Sequence, residues 1–204
     1  MSITNYTELQ ASVATWLHRT DLAAVIPDFI TLAETRMNGT LVSRNMETRV
    51  TLTCTPSVRT VAFPTDLMDM KRLAALDADP AQILQYKSPD QLMEDSAYLA
   101  ATSRPTCFTV VGSTVELAPV PDKAYPLELI YQQRIPALSV SNPTNWVLNQ
   151  NPNIYLFGAL MSSAGFTQVD AELHSMWEKK YLAAAEVINS VDWYTGSTMR
   201  VKFR

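Results

Sequence analysis

The stretch Ile154-Tyr155-Leu156-Phe157-Gly158-Ala159-Leu160-Met161-Ser162-Ser163-Ala164 decides the architecture. It follows Pro152 and is apolar nearly all round, so it reads as a helix with no solvent face. A helix of that kind must be surrounded by other elements. Its longest apolar run, Ile154 to Met161, is too short to span a bilayer.

Helical periodicity at both chain ends supplies the surroundings. On the C-terminal side a longer amphipathic helix is predicted, from about Val169 to Val191. Its stripe is Leu173, Met176, Trp177, Tyr181, Ala184, Val187 and Ile188. On the N-terminal side Thr4 is a candidate N-cap. Leu9, Val13, Trp16 and Leu17 then recur as one helix face. Asp21 can cap a short turn through Val25. Pro27 suits the first turn of a second helix, where its missing N–H costs nothing. That helix carries Ile26, Phe29, Ile30, Ala33 and Met37 and stops near Asn38-Gly39.

Between the helices the period changes from 3.6 to 2. Glu47-Thr48-Arg49-Val50-Thr51-Leu52-Thr53 alternates and is rich in β-branched residues. Val58 to Phe63 reads the same way. Asp66 to Asp69 reads as one helical turn. Lys71 to Leu76 and Gln82 to Tyr86 read as a hairpin, and Ser88-Pro89-Asp90-Gln91 opens a short helix with Ser88 as cap. Cys107 to Val111 and Thr114 to Leu117 flank Gly112-Ser113, a two-residue hairpin signal. Leu127 to Gln132 is the last strand. Eleven of the 12 prolines fall between Pro56 and Pro152, as short strands joined by tight turns require.

The expected fold class is therefore α+β. A helical bundle is built from residues 1–45 and 151–191. An antiparallel β-module, a small barrel or a sandwich, is inserted over residues 46–150. Residues 192–204 form a tail without helical period.

Composition narrows the function. The chain has 204 residues, 47% of them hydrophobic and 18% charged, which is globular usage. By surface scaling roughly 70% of the unfolded chain's surface can be buried, so no staple is needed. Sixteen Lys and Arg against 20 Asp and Glu give a net charge of −4, which demotes a nonspecific nucleic-acid binder. Two cysteines exclude a disulfide framework and a cysteine-based zinc site. Five glycines, none close to another, form no phosphate-cradling loop. The start, Met1 to Gln10, has neither the basic nor the apolar region of a signal peptide, so a soluble protein made in the cytoplasm is expected.

No catalytic, cofactor or metal constellation stands out. His18 lies near a helix C-terminus and reads as structural. His174 and Glu178 share the i, i+4 spacing of metal ligands but lack a third ligand, so a solvated face is the simpler reading. Asp66, Asp69, Asp77 and Asp79 fit no calcium loop and are explained by turns and caps. Ser88, Ser113 and Ser162 lie in no nucleophile elbow. Cys54 and Cys107 read as small buried hydrophobes. Among the aromatics, Trp16, Phe29, Tyr155, Phe157 and Trp177 fall on apolar stripes and read as core.

The tail differs. Trp193 and Tyr194 lie past the last helix, and Arg200, Lys202, Phe203 and Arg204 complete a segment of the residue types that dominate interfaces. It is expected to dock on a partner. The alternation Arg200-Val201-Lys202-Phe203 would permit strand addition to a sheet edge.

Several stretches resemble one family. They are Ile3 to Leu9, Trp16 to Leu22, Ile26 to Glu34, Arg44 to Arg49, Leu117 to Pro121, Leu127 to Tyr131, Pro143 to Trp146 and Tyr155 to Leu160. Their order along the chain is similar to that of the head-to-tail adaptor (connector) proteins of tailed double-stranded DNA bacteriophages. The resemblance implies a structural virion protein at the head–tail junction: a twelve-subunit ring under the portal protein. The ring would extend the DNA channel and present a surface to a tail, nozzle or stopper protein. Genomic DNA would pass without specific binding, which a negative wall suits. No membrane, cofactor or catalytic residue is implied. A stopper or tail completion protein, or a phage-encoded enzyme, are the alternatives.

Overall fold

A computed structural model describes residues 3–77, 81–94 and 102–191. The chain divides into two compact units, residues 1–45 with 135–204, and residues 46–134. The expected β-insertion ran to residue 150, but residues 135–150 sit with the helices. The reason is hydrogen bonding. The Ile135 N–H donates to Asn38 Oδ1 at 2.9 Å and the Leu138 N–H to Glu34 Oε1 at 2.7 Å.

The helical unit begins with α1 (Tyr6–Leu17) and α2 (Ile26–Thr40). Asn5, not Thr4, is the N-cap of α1: its side chain accepts from the Glu8 N–H at 2.9 Å. Thr4 is used one step outside, where its N–H and hydroxyl both donate to the Glu8 carboxylate at 2.7 Å. The helix ends on His18 in the left-handed region, φ 51°, with the Arg19 N–H returning to the Ala14 carbonyl.

A 3-10 turn, Arg44–Met46, leads from the first unit into the strands of the second, β1 (Glu47–Thr53), β2 (Thr60–Ala62) and β3 (Leu67–Ala75). Then come β4 (Gln82–Ile83), β5 (Gln85–Tyr86), α3 (Pro89–Glu94), β6 (Cys107–Val111), β7 (Thr114–Ala118) and β8 (Pro126–Gln133). Two four-stranded sheets result, ordered β1-β8-β3-β4 and β2-β7-β6-β5. Neither closes into a barrel. Their shared core includes Leu73, Leu117, Leu127 and Leu129, with Val50 and Leu52 of β1 partly buried against it.

Three local expectations change. Asp66 to Asp69 is not helical, because Thr65-Asp66 is a turn and β3 already runs from Leu67. The expected strand over 82–86 splits at buried Leu84, whose N–H bonds the Leu73 carbonyl while that of Gln85 bonds Thr106. The chain thereby changes sheets, and β5 pairs with β6 in parallel, the one departure from antiparallel pairing among the described residues. The hairpin at Gly112-Ser113 forms as expected, Val111 facing Thr114 and Gly112 at φ 59°. Ser88 caps α3 reciprocally with Gln91.

The helical unit resumes with α4 (Trp146–Gln150), α5 (Pro152–Thr167) and α6 (Ala171–Val191). The short α4, capped by Asn145, was not foreseen. Helix α5 is the hub and packs against α1, α2, α4 and α6. Ile154 to Met161 are all buried, as an all-round apolar helix requires. Gly158 permits the closest approach: a Cβ there would lie 3.0 Å from the Ala33 Cβ of α2.

Candidate functional site

Several of the residues weighed for chemistry are committed to local structure. Asp66 accepts from the Tyr131 hydroxyl at 3.0 Å, and Asp77 pairs with Arg104 at 2.7 Å. Asp69 is exposed on β3, and Asp79 lies outside the described residues. Cys54 and Cys107 are buried thiols that donate to the carbonyls of Lys123 and Ala118. His174 and Glu178 stand on α6, and among the described residues no group of three or more His, Cys, Asp or Glu could hold a metal. No described helix is long and apolar enough to cross a membrane.

One polar cluster is buried in the helical unit. Glu34 Oε1 accepts from the Leu138 N–H at 2.7 Å and the Tyr155 hydroxyl at 3.2 Å. Asn145 Nδ2 donates to that hydroxyl and to the Pro136 carbonyl at 2.8 Å. Burial pushes the Glu34 carboxyl above its usual value, against the two hydrogen bonds that pull it down. Tyr155 is pushed up by burial and then by the Glu34 charge. The cluster ties residues 135–145 to α2 and α5.

Surface chemistry lies elsewhere. Helix α6 buries Trp177, Tyr181, Ala185 and Ile188. That face is narrower than the expected stripe: Leu173, Met176 and Val187 are exposed, Val187 by 54%. A shallow groove in the helical unit is lined by Phe157, Lys180, Ala184 and Val187, with Asn151 and Asn153. Trp16, expected in the core, is 46% exposed because it stands at the stripe's margin. It meets Phe157 edge-on at a centroid distance of 5.8 Å, and Lys180 Nζ lies over the same ring at 5.2 Å. Phe29, Tyr155, Phe157 and Trp177 are buried as read.

In the β-unit the outer face of the first sheet carries a charge ladder. Glu47 is paired with Lys71, while Glu128 is held by Arg72 and by Arg49 at 3.2 Å. Strand β1 is the sheet's edge and pairs with β8 over seven consecutive positions without a bulge. This edge was missed from sequence: alternation identifies a strand but not its place in a sheet.

The expected interface residues Trp193, Tyr194, Arg200, Lys202, Phe203 and Arg204 lie outside the described residues.

Trp16, Leu173, Met176 and Val187 stand exposed in the helical unit, and β1 is a sheet edge in the β-unit. No curated protein matches the chain. The family model described as SU10 adaptor protein matches residues 4–202. That match covers nearly the whole chain, both units included, and the chain belongs to the SU10 adaptor protein family of phage structural proteins.

Proposed function

We propose that this chain is a head-to-tail adaptor that assembles as a ring, of twelve subunits by the resemblance noted above, beneath the portal protein. The ring extends the DNA channel and offers an attachment surface to a tail, nozzle or stopper protein. The observation that carries the reading is the family match over residues 4–202. The net charge of −4 supports it, because a channel wall that repels phosphate lets DNA slide. The half-exposed Trp16 and the open face of α6 support it as well, since each subunit of a closed ring needs two different lateral faces. Residues 192–204 serve as a docking segment in this assembly, with Trp193 and Tyr194 as its aromatic anchors.

Native mass spectrometry of the protein, alone and mixed with the portal protein of the same genome, tests the reading. A portal complex carrying about twelve added copies is the expected result. A stable monomer that ignores the portal overturns it. Trp193→Ala with Tyr194→Ala should weaken portal binding and leave the melting temperature nearly unchanged. A collapsed melting temperature would instead make these two residues part of the core.

A further inference from the structure

Two apolar spots of the helical unit stand open, and they lie on opposite sides of α5. The first is the groove lined by Phe157, Lys180, Ala183, Ala184 and Val187, with Trp16 edge-on against Phe157 beside it. Its volume is about 340 Å³. An apolar cavity of roughly 150 Å³ already holds a benzene ring. Lys180 is the one charged residue among the described residues that line the groove. Past Trp16, Arg19 and Asp21 neutralise each other at 2.6 Å.

The second spot is a projection. Phe166, in the last turn of α5, is 59% exposed, and Leu32 of α2 is 55% exposed. Both stand on buried Phe29. The Phe166 ring meets it edge-on at 5.8 Å, and Leu32 follows it by three residues on the same helix face. The acids here are Asp28, next to Phe29, and Asp170, four residues past Phe166, and both are exposed. Arg36 stands about 10 Å further along α2 from Phe29, where its charge acts on the Tyr181 hydroxyl. Nine residues separate Phe157 from Phe166, about two and a half helical turns, so the two rings leave α5 in opposite directions.

A groove and a projection placed in this way cannot fill each other within one chain. Across a two-fold axis the groove would meet a groove and bring two lysines together. In a head-to-tail contact they match, and contacts of that kind generate rings. We propose that Phe166 of one copy of this chain seats in the groove between Phe157 and Val187 of the next copy. Leu32 adds apolar area beside it, and Asp28 and Asp170 bring negative charge to Lys180. The inference rests on the ring reading and names the surfaces that build the ring. The buried aromatic ring supplies the affinity. The complementary charges set the direction of the contact.

Cysteine variants of the full chain test it. Chains carrying Leu32→Cys are mixed with chains carrying Val187→Cys, assembled with the portal and treated with a short bismaleimide. The mixture should give a covalent pair of chains, and neither variant alone should. Both substitutions in one chain should give a ladder of covalent oligomers. Native Cys54 and Cys107 are buried and do not compete. Phe166→Ala should raise the concentration needed for ring assembly by at least about tenfold, with the melting temperature of the unassembled chain nearly unchanged. A covalent pair formed by one variant alone would mean a two-fold contact and overturns the proposal. If native mass spectrometry shows a ring but the mixture gives no covalent pair, or Phe166→Ala assembles as the parent does, these surfaces are wrong and the ring reading stands. If no ring forms with or without portal, both fall.

Discussion

At the scale of the residue, two side chains hold positions that cost stability. His18 closes α1 at φ 51°, a conformation that glycine adopts without strain. His18→Gly should therefore stabilise the protein by about 0.5–1 kcal/mol, read as a higher urea midpoint at unchanged slope. A lower midpoint would mean that the imidazole makes a contact worth more than the backbone strain. Glu34 is the second. Its folded carboxyl is held above the ordinary 4.5, first by burial. The folded state thus binds the proton more tightly than the unfolded state. The stability this group contributes is complete below pH 4.5 and is lost as pH rises through the folded value. Glu34→Gln keeps an acceptor for Leu138 and Tyr155 but does not titrate. Its stability relative to the parent should rise with pH across that window, and parallel curves in urea titrations at several pH values would refute this. His18 was legible as a helix-end residue. The partner of Glu34 was not, because Leu138 lies 104 positions away along the chain.

At the scale of the element, α5 shows what patterning can and cannot say. Its all-round apolar run identified it as the buried helix, but not which glycine would be pressed. Gly158 faces α2 with a Cβ position 3.0 Å from Ala33 and 3.4 Å from the Tyr181 ring, whereas nothing lies within 4 Å of a Cβ at Gly165. Gly158→Val should cost roughly 2–3 kcal/mol by forcing α2 and α5 apart. Gly165→Ala should gain about 0.5–1 kcal/mol from helix propensity alone. Paired thermal melts decide it: equal effects at both sites would mean that the contact between the helices yields without cost. For α6 the periodicity marked more apolar residues than the unit buries, since Leu173, Met176 and Val187 face outward. An apolar stripe reports that a face seeks a partner, and it does not say whether that partner is in the same chain. The split of residues 82–86 into two strands had no sequence signal, because the Leu84 N–H bonds the Leu73 carbonyl of β3 while the Gln85 N–H bonds the Thr106 carbonyl just before β6.

At the scale of the whole molecule, the β-unit has the mark of an insertion. It is entered by β1 and left by β8, and these are neighbours, with Glu47 facing Gln132. Ends held side by side let a module sit in a host chain without strain. Its main core cluster is drawn entirely from residues 46–134. A fragment of residues 46–134 expressed alone should therefore unfold cooperatively in urea. A broad, noncooperative transition would show that this core needs the helical unit.

The sequence by itself determined the α+β class, the helical ends, the strand-rich middle, the hairpin at Gly112, the cap at Ser88 and the buried rank of α5. Those follow from periodicity and local steric preference, which act within a few residues. The tertiary structure decided that residues 135–150 belong with the helices. It also decided that the strands form two open sheets, that β5 runs parallel to β6, that Trp16 stands half exposed and that β1 is an edge. Each depends on a hydrogen bond or a contact between residues distant along the chain. Local pattern carries no record of which distant partner wins.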